Sequence, residues 1–210
     1  MLSVKNISVM NFENAIRGAR NPMNSWARYD STYDSDGNFV FGENDLSLAK
    51  RLCAAGSDHR KFIRQIIVCM DINAPMYWWK EFDTYKVGTV ANSTSTMHKI
   101  HSKPFEMSDF SCDKLTQDSF KAMESYINYM ENVRLKYIET KDKAYWYDII
   151  QMLPSSYNQL RTVTLNYEVL VNIYYARKNH KLDEWHVFCN QIKQLPYANE
   201  LILSCKSTEE

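Results

Sequence analysis

LPSSYNQLRTVTLNYEVLVNIYYARKNH, residues 153–180, is the stretch from which the fold of this chain is read. Leu153-Pro154 ends a preceding helix, because proline pushes the residue before it out of the α region. Leu160–Leu165 reads as a short strand. A helix over Asn166–His180 follows, apolar on most sides through Val169, Leu170, Val171, Ile173 and Tyr174, as a buried helix is. Asn166 and Arg177 stand eleven residues apart, close to three turns, and so share one face about 16 Å apart along the axis. Taken singly, Asn166 is a helix cap and Arg177 a cation favoured at a helix C-terminus.

Working outward, Val4–Met10 alternates and is β-branched, a strand. Phe12–Arg20 reads as a short helix. Asn21–Gly42, rich in Asn, Asp, Ser, Tyr and Gly, reads as a long loop with a hairpin turn at Asp36-Gly37. Asn44-Asp45 caps a helix that runs to Gly56. Ile66–Ile72 (IIVCMDI) is a compact apolar run, a mostly buried strand. Pro75 suits the first turn of a helix over Met76–Lys86, and Val87–Pro104 reads as a polar loop. The spacing of Phe120, Met123, Ile127, Met130, Val133 and Tyr137 predicts a helix over Thr116–Thr140, followed by another over Lys141–Leu153. A last helix begins near Leu182-Asp183. With no repeat and no linker, residues 1–210 form one domain, α+β in class, with a mixed or antiparallel sheet flanked by helices.

Composition narrows the function. Of 210 residues, 45% are hydrophobic and 24% charged, an ordinary globular balance. The polar tail Ser204–Glu210 is where fraying is expected. Lysine plus arginine equals aspartate plus glutamate at 25 each. A nucleic-acid binder needs a positive excess to displace phosphate counterions, so that role is disfavoured. A small anionic ligand needs only local cations. Five cysteines, an odd number with wide spacing and no CxxC pair, argue against a disulfide framework and a zinc site, leaving free thiols in a reducing compartment. The N-terminus has no signal-peptide pattern, and no apolar run approaches the ~20 residues that span a bilayer, so the expected location is the cytosol. Fourteen tyrosines and five tryptophans fit either an aromatic core with subunit interfaces or a pocket that stacks flat rings.

The spaced set Leu153-Pro154, Thr164-Leu165-Asn166, Asn172 and Arg177 resembles the C-terminal signature of the flavin-dependent thymidylate synthases. In that family a Leu-Pro ends a helix, a strand leads to Thr-x-Asn, and the next helix carries a second Asn and then an Arg. The resemblance implies that Asn166 and Asn172 touch FAD, since an amide offers donor and acceptor to a ring edge. It implies that Arg177 faces a nucleotide of dUMP type. A weaker match places the family's Arg-His-Arg-x-x-Ser-x-Asn-x-x-Ser-x-Arg motif after the aromatic helix. If Asn92 and Ser95 match its Asn and second Ser, Tyr85-Lys86-Val87 stands where Arg-His-Arg should be. Sliding by one residue puts Thr84-Tyr85-Lys86 there, and in both registers Lys86 is the surviving cation.

On this resemblance Asn92 joins the flavin contacts, Lys86 and Ser95 join the substrate contacts, and the chain forms a homotetramer with sites shared between subunits. The reaction implied is dUMP methylation with FAD, NADPH and methylenetetrahydrofolate. The alternative is a non-catalytic flavin- or nucleotide-binding module, and behind it a purely structural interaction protein. No residue is assigned a catalytic role. Ile150 and Glu168 stand where the family has arginines, and Glu168 facing the site would repel a phosphate dianion. The family's N-terminal histidine motif is echoed only by Gly56-Ser57-Asp58-His59. Ser93-Thr94-Ser95-Thr96 reads either as a phosphate cradle near Lys86 and Lys99 or as a polar turn. His98 and His101, without a third ligand nearby, read as loop histidines.

Overall fold

A computed structural model of the chain describes residues 2–205; the expected fraying from 206 on lies outside the described residues. The class is α+β, with an antiparallel sheet flanked by helices. In order, the elements are β1 (Ser3–Met10), α1 (Phe12–Ala19), β2 (Thr32–Tyr33), β3 (Phe39–Val40), α2 (Glu43–Ala54), β4 (Ile67–Pro75), α3 (Met76–Phe82), β5 (Val90–Ser93), α4 (Gln117–Thr140), α5 (Lys143–Met152), β6 (Asn158–Asn166), α6 (Tyr167–Arg177) and α7 (Asp183–Lys193). The main sheet has the order β1-β4-β6-β5, and β2 pairs antiparallel with β3 as a separate hairpin. Met76 N–H donates to Tyr157 O at one end of β4, and Tyr167 N–H donates to Ile66 O at the other. Those pairings run in opposite directions along the two chains, so β4 and β6 are antiparallel.

The chain divides into two compact units, and β4 and β6 each pass from one to the other. The first contains Ile72–Thr84 and Asn92–Arg161. Its core gathers Ile100, Phe105, Phe110, Ile127, Met130, Val133 and Ile149 around α4 and α5. Trp78, Trp79 and Phe82 bury completely or nearly so, in edge-on and stacked pairs. The guanidinium of Arg161 lies 4.2 Å over the Trp79 ring and pairs with Asp83 at 2.7 Å.

The second unit contains Val4–Asp71, Tyr85–Ala91 and the chain from Thr162 on. Phe12 is the hub of its aromatic core, meeting Phe39, Phe41, Tyr167 and Tyr197 at centroid distances of 5.6 to 5.9 Å. On the half-exposed face of β4, Asp71 accepts from Asn6 Nδ2 and Thr162 Oγ1 at 2.7 and 2.6 Å. Those two donors hold its carboxyl below the usual range.

Several expectations change. β4, expected as a mostly buried strand, alternates: Val68, Met70, Ile72 and Ala74 face inward, while Ile67, Cys69, Asp71 and Asn73 are half-buried. The polar stretch Val87–Pro104 contains β5, whose four side chains are all exposed. Nothing in its composition alternates, and backbone bonding such as Thr94 N–H to Leu160 O accompanies it. α3 stops at Phe82 rather than Lys86, where Thr84 turns its hydroxyl onto Glu81 O at 2.7 Å.

The cap of α2 also differs. Gly42 holds the cap position, and the carboxylate of Asp30 accepts from the N–H groups of Asn44 and Asp45 at 2.8 and 3.0 Å. A Cβ on Gly42 would come within 2.2 Å of Asp30 Cγ, so only glycine lets the carboxylate reach. Asp45, expected at the cap, is wholly buried; it pairs with the buried Arg20 and accepts from Ser31 Oγ at 2.6 Å, which pins the loop over 21–42.

We expect Asp30→Ala to destabilise the chain by about 1 kcal/mol, as loss of a helix cap does, read as a lower urea midpoint with unchanged slope. Desolvation works against ionisation of Asp30, but the bonds from Asn44 and Asp45 outweigh it and hold its carboxyl low. Its contribution is therefore present above the unfolded carboxylate value and fades as pH falls through the folded one, a loss the alanine variant lacks.

Candidate functional site

In the second unit a cavity of about 600 Å³ opens at the junction of β6 and α6, within the range of ligand pockets. Its wall includes Ser57, Arg64, Tyr85, Val87, Gly88, Asn166, Glu168 and Asn172. The sequence folds this way because β6 runs directly into α6, with Asn166 as the residue between. Asn166 Oδ1 accepts from Val169 N–H at 3.1 Å, the cap bond read from the sequence. That bond fixes the amide and leaves its Nδ2 to the cavity side. Gly88 presses against that nitrogen: it has φ 78°, and a Cβ there would lie 2.9 Å from Asn166 Nδ2. Asn172 lines the same cavity, exposed, with no hydrogen-bond partner among the described residues. Beside Gly88, Thr89 Oγ1 is buried without a hydrogen-bond partner among the described residues.

Electrostatics at the wall differ from expectation. Glu168 is buried and does not face the cavity as a bare anion. Arg60, itself 1% exposed, holds it with Nε at 3.0 and 3.3 Å from the two carboxylate oxygens and Nη2 at 3.1 Å from one of them. Burial alone would make the guanidinium more acidic; its bond to Glu168 outweighs that and pushes its pKa up. The pair adds no net charge to the wall. Arg64, in the short 3-10 helix Lys61–Gln65, is exposed and lines the cavity with no ion-pair partner among the described residues.

The expected site residues divide. Asn166 and Asn172 share the cavity. Arg177 does not line it: its Nε donates to Tyr85 OH at 2.9 Å, and its guanidinium lies 5.0 Å over Trp185 and 5.7 Å over Tyr85. It thereby braces Tyr85, which does line the cavity. Lys86 is exposed between two lining residues. Asn92 lies on β5, exposed, and lines none of the cavities described here. Ser95 lies in the first unit, on another cavity of about 540 Å³ with Lys99, Lys103 and Asp109. Its hydroxyl accepts from Met97 and His98 N–H at 3.2 and 2.8 Å, capping a turn. The ring of His101 packs edge-on to Tyr137 at 4.9 Å.

Arg60, Arg64 and Gly88 were missed from the sequence, and of the Gly56–His59 echo only Ser57 reaches the cavity. The signal for the arginines was an i, i+4 pair around Phe62-Ile63; Arg60 caps the 3-10 helix and Arg64 lies in it, and such a helix has no α periodicity to reveal them.

No family model and no curated protein sequence matches the chain. Its fold matches solved structures. The flavin-dependent thymidylate synthase ThyX from Helicobacter pylori, in complex with FAD and dUMP, superposes with TM-score 0.70 at 16% identity, covering 98% of this chain and 99% of that one. A second structure of that enzyme with FAD and dUMP gives the same values. The UMP/dUMP methylase PolB from Streptomyces cacaoi, bound with 5-Br dUMP, gives TM-score 0.62 at 13% identity over 97% and 94%. At these identities the likeness establishes the fold.

The buried pair yields a prediction. Arg60→Met leaves Glu168 unpaired and should cost roughly 3–5 kcal/mol, whereas Arg60→Met with Glu168→Leu should recover most of that loss. Urea unfolding of both variants checks it.

Proposed function

We propose that this chain, which carries the fold of the flavin-dependent thymidylate synthases, binds FAD in the cavity lined by Asn166 and Asn172 and retains at most slow dUMP methylation. One observation carries the reading: the two asparagines that the sequence resemblance assigns to the flavin line the same cavity. The residues present suit a flavin. The Asn172 amide has no hydrogen-bond partner among the described residues and offers donor and acceptor; Asn166 contributes Nδ2; Gly88 leaves room that any side chain would fill. Tyr85 and Val87 give flat and apolar wall. A flavin there would supply hydride transfer, with NADPH and methylenetetrahydrofolate as the co-substrates of the enzyme reading. The chain's own part is to bind and orient.

Grip on a nucleotide phosphate is where we infer the loss. Bidentate arginines normally supply it, and two family arginine positions hold Ile150 and Glu168. Arg60 cancels the charge of Glu168 rather than replacing the missing cation. Lys86 and Arg64 are the cations left at the loop and the wall. A second reading, a non-catalytic flavin- or nucleotide-binding module, is favoured by Arg177, whose guanidinium is already engaged by Tyr85 and Trp185.

We further infer a single domain over 1–210, since the fold likeness runs across 98% of the chain, and a homotetramer. Exposed apolar side chains such as Met23 and Trp26 would be covered in such an assembly.

The purified protein should give a saturable FAD titration by flavin absorbance. Asn172→Ala should weaken it roughly tenfold, the effect of one lost hydrogen bond of ~1–2 kcal/mol, with the unfolding midpoint unchanged. A flat titration of folded protein would overturn the flavin reading. Tritium release from labelled dUMP should be slow, and a thymidine-requiring strain should not grow on this chain alone; robust growth would show that Arg64 or another cation does the lost work. Light scattering at micromolar concentration should give a mass near four chains.

A further inference from the structure

Of the five cysteines, all free thiols, Cys53 and Cys205 stand together. Cys53 lies in the last turn of α2, and Cys205 follows the π turn Asn199–Leu203, which packs directly on α2. Both sulfurs approach one atom, the Leu201 carbonyl oxygen, at 3.8 and 3.2 Å. They are 0% and 2% exposed. The remaining cysteines are elsewhere: Cys69 bonds the Thr164 hydroxyl at 3.3 Å, Cys112 is buried in the first unit, and Cys189 is buried in α7, where desolvation pushes its thiol up to about 11.

The two thiols are not equivalent. Cys205 is held below the usual thiol range by the facing Cys53 thiol and, less strongly, by the Arg60 guanidinium; Cys53 is pushed up by Cys205 and by burial. The buried Arg60–Glu168 pair is thus in electrostatic reach of both sulfurs. One acidic and one protonated thiol in proximity is the arrangement that thiol–disulfide exchange uses.

We propose that Cys53 and Cys205 form an oxidisable dithiol that closes to a disulfide by exchange with a small-molecule disulfide of the glutathione type. The Cys205 thiolate attacks one sulfur of glutathione disulfide, its S–S bond breaks, and a glutathione thiolate leaves. The Cys53 thiol loses its proton to that thiolate or to solvent and attacks the mixed disulfide at the Cys205 sulfur. The second glutathione leaves as a thiolate and takes up from solvent the proton that Cys205 had released on ionising. Two protein thiols are oxidised, and one glutathione disulfide is reduced to two thiols. Because both sulfurs are buried, exchange waits on local opening of the π turn, a short element at one end of its unit. Once closed, the bond ties α2 to the turn beside the Arg60–Glu168 pair.

The test is a thiol map of the full chain after incubation with glutathione disulfide, acid quench, alkylation in denaturant and peptide mass spectrometry. Two of the five cysteines should lose their alkyl label, with one cross-linked peptide pair joining Cys53 to Cys205, and dithiothreitol should restore both. The oxidised chain should unfold at higher temperature than the reduced one. Cys53→Ser should trap glutathione on Cys205, whereas Cys205→Ser should leave Cys53 fully alkylated. Five alkylated thiols after incubation, both in buffer and in urea just below the unfolding transition, overturn the proposal. A cross-link joining any other pair does so too. The wild-type map decides it even if a variant fails to fold.

Discussion

A carboxylate at the first turn of a buried helix must find a counter-charge, and in this chain Arg60 supplies it to Glu168 across 108 residues of sequence. The N-terminal end of α6 favours a negative side chain through the helix dipole. That term is small beside the cost of burying an unpaired ion. The two-point grip from Nε and Nη2 fixes the orientation of the first turn of α6 against the segment that carries Arg60. Everything of interest at the cavity hangs from that turn: Asn166 immediately before it, Asn172 on its second turn, and Arg64 one step past Arg60.

The cavity then takes its shape from close approaches. Gly88, at positive φ, sits against the Asn166 amide where any Cβ would collide. Asn166 cannot swing away, because its oxygen caps α6. Arg177 closes the other side of the same loop by donating to Tyr85 and stacking on Trp185. The loop carrying Tyr85, Val87 and Gly88 is thus gripped from both ends of α6. A binding surface on a loop needs such support to be reproducible.

Legibility followed periodicity. α4 and α6 were readable from apolar spacing, and of β6 the part over Leu160–Leu165, short of its full length Asn158–Asn166. That the two asparagines would stand near each other was readable, because a strand and a helix fix their spacing to Leu153-Pro154 and Arg177; both line one cavity. β5 was not readable, since four exposed side chains carry no alternation and only backbone bonds make it a strand. The cap of α2 was misread because the acceptor is Asp30, remote in sequence, while the local Asp45 was needed inside against Arg20. The same limitation hid Arg60. A charge pair formed across the chain leaves no local pattern, and a residue read alone as a repulsive Glu168 changes meaning once its partner is known.

That change of meaning bears on how charge is distributed over this fold. With Arg60 committed to Glu168 and Arg177 to Tyr85 and Trp185, neither guanidinium can reach a phosphate without abandoning a bond that holds the cavity wall. Breaking the first would strand a buried carboxylate, which is the costlier of the two. The cation at the wall with no such obligation among the described residues is Arg64, and it is exposed. An exposed, unrestrained guanidinium attracts an anion but does not pre-orient it, because the side chain must lose its rotamer freedom on binding. At the wall, by contrast, the Asn166 amide is held in place by its cap bond to Val169 N–H, so it is pre-oriented where Arg64 is not.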